Sequence, residues 1–146
     1  MIRPANKGDL PSLQTLFVET IRNTCKEDYE EVQIDCWISS VKNTARWEEK
    51  ISNQYFLVAE SDAGIMGFAS LEDGTYLDFM YVSKDNLRKG VATKLYEQIE
   101  KEAKREGAVF LESDVSITAK AFFQNMGFSQ LKENRNRNCS QGLQGW

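Results

Sequence analysis

The chain has 146 residues, 41% hydrophobic and 27% charged, a size and balance that fit one globular domain with a real core. Eighteen basic against 22 acidic side chains leave a net charge of -4, which argues against a sequence-independent grip on nucleic acid. Histidine is absent, which removes Ser-His-Asp and Cys-His arrangements, the usual zinc sites and the default general base near neutral pH, so no metal is expected.

The N-terminus runs from Met1-Ile2-Arg3-Pro4-Ala5 into a helical pattern without the layout of a signal peptide, and no apolar run reaches the roughly 18 residues of a membrane span. The expectation is a cytoplasmic protein without membrane contact. For the first helix, Asp9 can cap the start and Pro11 suits the first turn. Leu10, Leu13, Leu16, Phe17 and Ile21 then recur at helical spacing. A second helical region is expected over 30–41, with Val32, Cys36, Trp37 and Val41 as its apolar members, and further turns over 44–51. Cys25, Cys36 and Cys139 are widely spaced and form no CxxC pair, which predicts reduced thiols.

Three β-type runs follow, at 54–60, 65–71 and 76–82, separated by the turns Ser61-Asp62-Ala63-Gly64 and Glu72-Asp73-Gly74. Their close spacing predicts an antiparallel meander. Residues 85–90 have loop chemistry, and 91–106 form an amphipathic helix with Val91, Leu95, Ile99 and Ala103 on one face, ended by Gly107. A fourth strand over 108–115 would lie parallel to the third through a right-handed crossover. A short helix over 118–125 and a last strand over 128–132 complete an α+β domain with a mixed sheet.

The turn into the 91–106 helix carries the chemistry. The first N–H groups of that helix lack internal partners and carry the positive end of its dipole, so main chain alone can hold an anion there. Gly90 keeps side-chain atoms away, Ala92 is small, and Arg88 and Lys89 add charge at the rim. Neither GxxxxGK[ST] nor GxGxxG is present, and a β-α turn with one packing glycine explains the segment equally well.

Residues 76–93, taken with Ser113-Asp114-Val115-Ser116-Ile117-Thr118-Ala119-Lys120-Ala121-Phe122-Phe123-Gln124-Asn125-Met126-Gly127-Phe128, resemble the GCN5-related N-acetyltransferase (GNAT) superfamily. The run Ser-Ile-Thr-Ala followed by two phenylalanines is similar to a bacterial subgroup. Ile2-Arg3-Pro4-Ala5 with Asp9-Leu10 resembles the superfamily's first strand and helix. The resemblance covers about residues 1–132 and is specific in combination.

It implies one domain over 1–146 with the layered α/β/α GNAT fold. The sheet would be mixed but mostly antiparallel, helices would cover both faces, and the central parallel strands 76–82 and 108–115 would splay apart. Acetyl-CoA would lie in that split, its pantetheine along Met80, Tyr81 and Val82. Its pyrophosphate would rest on Arg88, Lys89, Gly90, Val91, Ala92 and Thr93, with Ser116 and Phe123 also at the cofactor. The chain departs from the family at Leu87, where Gln or Arg is usual, at Phe123, where a tyrosine often protonates the departing thiolate, and at Ser116, where asparagine is frequent. The expected function is transfer of an acetyl group from acetyl-CoA to a primary amine of a small molecule or peptide. The rival is an acyl-CoA-binding sensor or regulatory module that has lost turnover.

Amine acetylation needs a neutral nucleophile, and a lysine-like amine with a pKa near 10.4 costs roughly 4–5 kcal/mol to deprotonate at pH 7. A thiolate with a pKa of about 8.5 departs with little help. The base therefore matters more than the acid. Asp78, a carboxylate inside the third β-run, is the candidate base, and strand alternation places it with Tyr76, Met80 and Val82. An ion pair or a loop cap would explain it too, and Glu72 and Glu112 are alternatives. Arg22, Tyr29 and Trp37, on or after the first helix, are candidates for the acceptor pocket, and core packing explains the two aromatics as well. Residues 133–146 lack the apolar pattern of a closing β-hairpin. They read as an irregular tail or an exchanged strand, and an exposed edge there would favour a homodimer.

Overall fold

The computed structural model describes residues 1–24, 30–83, 90–109, 111, 114–115 and 144–145. Its elements are β1 (Ile2–Pro4), α1 (Leu10–Thr24), α2 (Glu31–Ile38), α3 (Thr44–Asn53), β2 (Tyr55–Ser61), β3 (Gly64–Glu72), β4 (Tyr76–Val82), α4 (Val91–Arg105), β5 (Asp114–Val115) and β6 (Gln144–Gly145). Two 3-10 turns, Lys7–Asp9 and Ser39–Lys42, flank the first two helices.

The first four strands form an antiparallel sheet in the order β1-β2-β3-β4. Alternation along the strands sends residues to two cores. Phe56, Val58, Phe68 and Phe79 pack against Leu13, Phe17 and Ile21 of α1, Trp37 of α2 and Trp47 and Ile51 of α3. Leu57, Ala59, Ala69, Leu71, Leu77 and Val82 pack against Val91, Leu95, Ile99 and Ala103 of α4. The result is the layered α+β arrangement with helices on both faces.

The first core is aromatic. Trp47 stacks on Phe79 at 5.0 Å, and Phe17 meets Trp47 edge-on at 5.1 Å and Tyr81 at 5.0 Å. Such contacts add direction to an otherwise area-driven interaction.

The stripe expected of α1 is buried throughout. Asp9 caps the helical entry as the third residue of a capping box begun by Asn6, not as the residue just before the helix. Its carboxylate accepts the Asn6 backbone N–H at 2.9 Å and both terminal nitrogens of Arg3 at 2.9 Å. The Arg3 guanidinium, which also reaches Glu60, holds the Asp9 carboxyl below its ordinary range. That pairing ties β1 to the entrance of α1.

The second helical region covers the expected stretch, over 31–42. It stops as an α-helix at Ile38 and ends as a 3-10 turn, and it buries Ile34, Trp37 and Ile38 while Val32 stands exposed. With eight residues, α2 can present only two turns of stripe, and that stripe is set by its packing on α1. Cys36 is disulfide-bonded, against the expectation of free thiols. Spacing along the chain carries no information on which thiols meet in space, and Cys25 and Cys139 lie outside the described residues.

Residues Ala108 and Val109 are not strand, in contrast to the run expected from 108. Ala108 completes the end of α4. Gly107 adopts φ +91°, its N–H bonds the Lys104 carbonyl, and the Ala108 N–H bonds the Ala103 carbonyl, each at 3.0 Å. That is a Schellman closure, which consumes the residues a strand would need. Asp114–Val115 pairs antiparallel with Gln144–Gly145, so the far C-terminus lies on a strand of its own chain. The helix expected over 118–125 and the strand over 128–132 fall outside the described residues. Among the described residues no helix is long and apolar enough to cross a membrane, and no group of acidic or sulfur side chains could hold a metal ion.

Candidate active site

The site begins at β4, the last strand of the four-stranded ladder. Pairing with β3 is regular from Gly67↔Val82 to Ser70↔Phe79, then jumps to Leu71↔Leu77. Asp78 is thus the extra residue of a β-bulge. Ser70, fully buried, accepts the Phe79 backbone N–H on its hydroxyl at 3.2 Å. This side-chain bond replaces a ladder bond that the bulge disrupts.

The bulge shifts the parity of the strand. Leu77, Met80 and Val82 face α4, whereas Phe79 and Tyr81 face the aromatic core. Asp78 therefore does not keep company with Met80 and Val82 as alternation alone expects. It turns toward α3, where Lys50 Nζ lies 2.7 Å and Gln54 Nε2 2.8 Å from its Oδ2. The Lys50 ammonium also sits 4.8 Å from the centroid of the Phe79 ring. Gln54 makes a second bond, to Glu72 Oε2 at 3.2 Å, and its own Oε1 is buried without a partner. Glu72 is itself exposed, and Glu112 lies outside the described residues.

Among the described residues α4 opens at Gly90. Gly90 is the N-cap with φ +79° and ψ +6°, a left-handed conformation, and a Cβ there would meet nothing within 4 Å. Glycine is required here by backbone torsion rather than by crowding. The first helical bond is Lys94 N–H to the Gly90 carbonyl at 3.0 Å, so the amides of Val91, Ala92 and Thr93 precede the internal ladder of a 15-residue helix. Arg88, Lys89, Ser116 and Phe123 fall outside the described residues, as does Tyr29. The chain is therefore compatible with a pyrophosphate at Gly90–Thr93.

Farther along β3 and β4, Gly67 serves close packing. A Cβ there would lie 2.8 Å from the Tyr81 carbonyl oxygen and 3.2 Å from Val82 Cγ2. The backbone of Tyr81 and Val82 can approach β3 only because position 67 carries no side chain. On α4, Tyr96 is buried and donates to Glu100 at 3.2 Å. Burial, aided by Glu100, pushes its phenol up to about 12.

Of the acceptor candidates, Trp37 is buried in the aromatic-side core and Arg22 is exposed near the end of α1. A cleft of about 380 Å³ opens elsewhere, between Ser12, Thr15 and Glu19 of α1, the Gly64 turn and Ser83. Ser83 lies five residues beyond Asp78, roughly 16 Å along a strand, so the cleft and the carboxylate are separate places.

Lys50, Gln54 and Ser70 were not singled out from the sequence. Lys50 lies in the last turn of α3, next to the buried Ile51, and Gln54 is the extended residue that caps that helix. Their target on β4, Asp78, is 28 residues from Lys50 and 24 from Gln54, and became visible only with the fold.

The acetyltransferase (GNAT) domain family matches residues 25–143, and the chain belongs to it: this is a GNAT acetyltransferase. It is 32% identical over 134 residues to a protein of Escherichia coli (strain K12) named as the uncharacterized N-acetyltransferase YafP, covering 92% of this chain and 84% of that one. The fold matches the crystal structure of a GCN5-related N-acetyltransferase from Rhodopseudomonas palustris described as "Aminotransferase, Class-II". That match has a TM-score of 0.92 and 29% identity, over 99% of this chain and 90% of the other. At 21% identity the fold also matches PaiA N-acetyltransferase of Thermoplasma acidophilum, solved with coenzyme A, with a TM-score of 0.78 over 94% and 93% of the two chains.

Proposed function

We propose that this acetyltransferase moves the acetyl group of acetyl-CoA to a primary amine by direct attack of the amine on the thioester. The observation that carries the reading is the pairing of a glycine-capped helix start at Gly90 with a carboxylate bulged out of the adjoining strand at Asp78. In this reading the amides of Val91, Ala92 and Thr93, with Arg88 and Lys89, hold the pyrophosphate. Met80, Tyr81 and Val82 line the pantetheine, and Ser116 and Phe123 adjoin it. The coenzyme A bound to the Thermoplasma relative belongs to a protein of the same fold, which supports the choice of donor.

Asp78 takes the proton from the acceptor amine. Its chemistry suits the task because a carboxylate beside the reacting nitrogen can lower the roughly 4–5 kcal/mol cost of making a neutral amine. Phe123 supplies no proton to the leaving thiolate, which at a pKa of about 8.5 needs little help. The acceptor is a small amine or a peptide, met on the side of α1 and α2, where Arg22, Tyr29 and Trp37 lie in sequence.

The second reading, a binding module without turnover, rests on Phe123 and Ser116 standing where the family often has tyrosine and asparagine. Calorimetry with acetyl-CoA and CoA, followed by thiol release over amino acids, polyamines, aminoglycosides and peptides, separates the two. Binding with turnover on any amine supports transfer. Binding without it across the set supports the module, and no binding at millimolar acetyl-CoA defeats both. Asp78→Asn should lower kcat about a hundredfold or more while leaving cofactor affinity near wild type.

A further inference from the structure

The contacts of Asp78 are uneven. Its Oδ2 accepts two donors, Lys50 Nζ at 2.7 Å and Gln54 Nε2 at 2.8 Å, while no hydrogen bond among the described residues engages Oδ1. The pair is largely withdrawn from water, with the Lys50 and Asp78 side chains 18% and 14% exposed. An ion pair drawn this far from solvent adds little to stability, because desolvation offsets most of its attraction. The amide of Gln54 is also committed, since its NH2 bridges the carboxylates of Asp78 and Glu72 while its own buried Oε1 goes unsatisfied. Natural structures leave few such atoms, and those that occur call for a reason.

Among the described residues, the charged groups facing Asp78 are Lys50 from α3 and, across the Gln54 amide, Glu72 from β3. The ring of Phe79 lies under the ammonium, and α1 presents Phe17 to that same ring at 6.1 Å. A cation fixed between a ring face and a carboxylate has little freedom to wander. The carboxylate plane is thus set from one side.

We infer that Lys50 and Gln54 are positioning residues for acetyl transfer: they clamp Oδ2 of Asp78 and leave Oδ1 as the atom that takes the acceptor's proton. This rests on Asp78 being the base. The acceptor ammonium loses two protons on becoming an amide. One goes to Oδ1 and on to water, and the other ends on the thiolate released as the carbon–sulfur bond breaks and the carbon–nitrogen bond forms. Lys50 keeps its protons throughout. Its task is to hold the carboxylate in line, and small displacements of a reacting group cost rate steeply.

The test is steady-state kinetics on acetyl-CoA with the best amine of the set above, for wild type, K50M, K50R, Q54M and D78N, with thermal unfolding of each. K50M should lower kcat about tenfold to a hundredfold while the KM for acetyl-CoA stays within about twofold. K50R, which keeps a charged donor, should recover most of that loss, and Q54M should show a smaller fall of the same kind. Unchanged kcat in K50M, with D78N inactive, overturns the positioning role and leaves the base assignment standing. Full activity in D78N overturns the base and the clamp together. A K50M defect confined to melting temperature and acetyl-CoA KM, not rescued by K50R, assigns Lys50 to structure alone and overturns the inference. If K50M does not fold, Q54M decides by the same criteria. A wild-type protein that turns over no amine of the set refutes the transfer reading on which the clamp depends.

Discussion

Gly90→Val is the most informative single change, because its cost can be apportioned in advance. Gly90 sits at φ +79°, and a Cβ there would meet nothing within 4 Å, so the penalty is backbone torsion and not collision. For an L-residue that conformation costs roughly 1–2 kcal/mol, with a β-branched side chain at the upper end. The chain can meet this cost in two ways. If the torsion is kept, the free protein loses about 1–2 kcal/mol of stability, on the order of 2–8 °C at this size, and CoA affinity is preserved. If the first turn of α4 relaxes instead, the free protein melts as before. Binding CoA must then restore the strained turn, and Kd rises about 5- to 30-fold. Either way the CoA-bound protein carries the whole penalty relative to the unfolded chain. Calorimetry with CoA and thermal unfolding with and without CoA measure both shares, and their sum should match the torsional cost. An unchanged melting temperature at saturating CoA, together with an unchanged Kd, would refute the assignment of Gly90 to the pyrophosphate turn.

Three other changes probe the frame of the site. Gly67→Ala places a Cβ 2.8 Å from the Tyr81 carbonyl, so β3 and β4 must part. A loss of about 1–3 kcal/mol in urea unfolding, with weaker CoA binding, is expected. Ser70→Ala orphans the buried Phe79 N–H and should cost about 1–3 kcal/mol; the same denaturation midpoint as wild type would mean the hydroxyl does not support the bulge. Asp9→Asn tests a pH dependence. The Arg3 guanidinium holds the Asp9 carboxyl below its ordinary value of 3.8, so the pair contributes stability above about pH 4 and loses it as pH falls further. Urea melts should show the variant less stable near neutrality and its stability declining less steeply below about pH 4.

Much of the frame was legible because it is local. The α1 stripe Leu10, Leu13, Leu16, Phe17 and Ile21 and the α4 face Val91, Leu95, Ile99 and Ala103 are periodic patterns, and all nine residues are buried. Turn residues separated the three antiparallel strands correctly because glycine and aspartate carry their conformations with them, as Asp73 at φ +52° and Gly74 at φ +76° show. The eight-residue α2 was misread at Val32 because so short a segment supports more than one stripe.

The site divides along the same line. That Gly90 opens a helix able to meet an anion follows from a glycine, a loop and an amphipathic run, all contiguous in the chain. Where Asp78 points does not. Alternation put it with Met80 and Val82, but a bulge opposite Ser70 and Leu71 turned it toward Lys50 and Gln54. A bulge is decided by the register of two strands, and an ion pair across 28 residues by how α3 packs on the sheet. Neither leaves a periodic trace. Sequence alone determined the elements and the helix-capping glycine, since short-range torsional and apolar preferences set them. The aim of the carboxylate was decided only by tertiary structure, because it depends on pairing between segments that no local preference brings together.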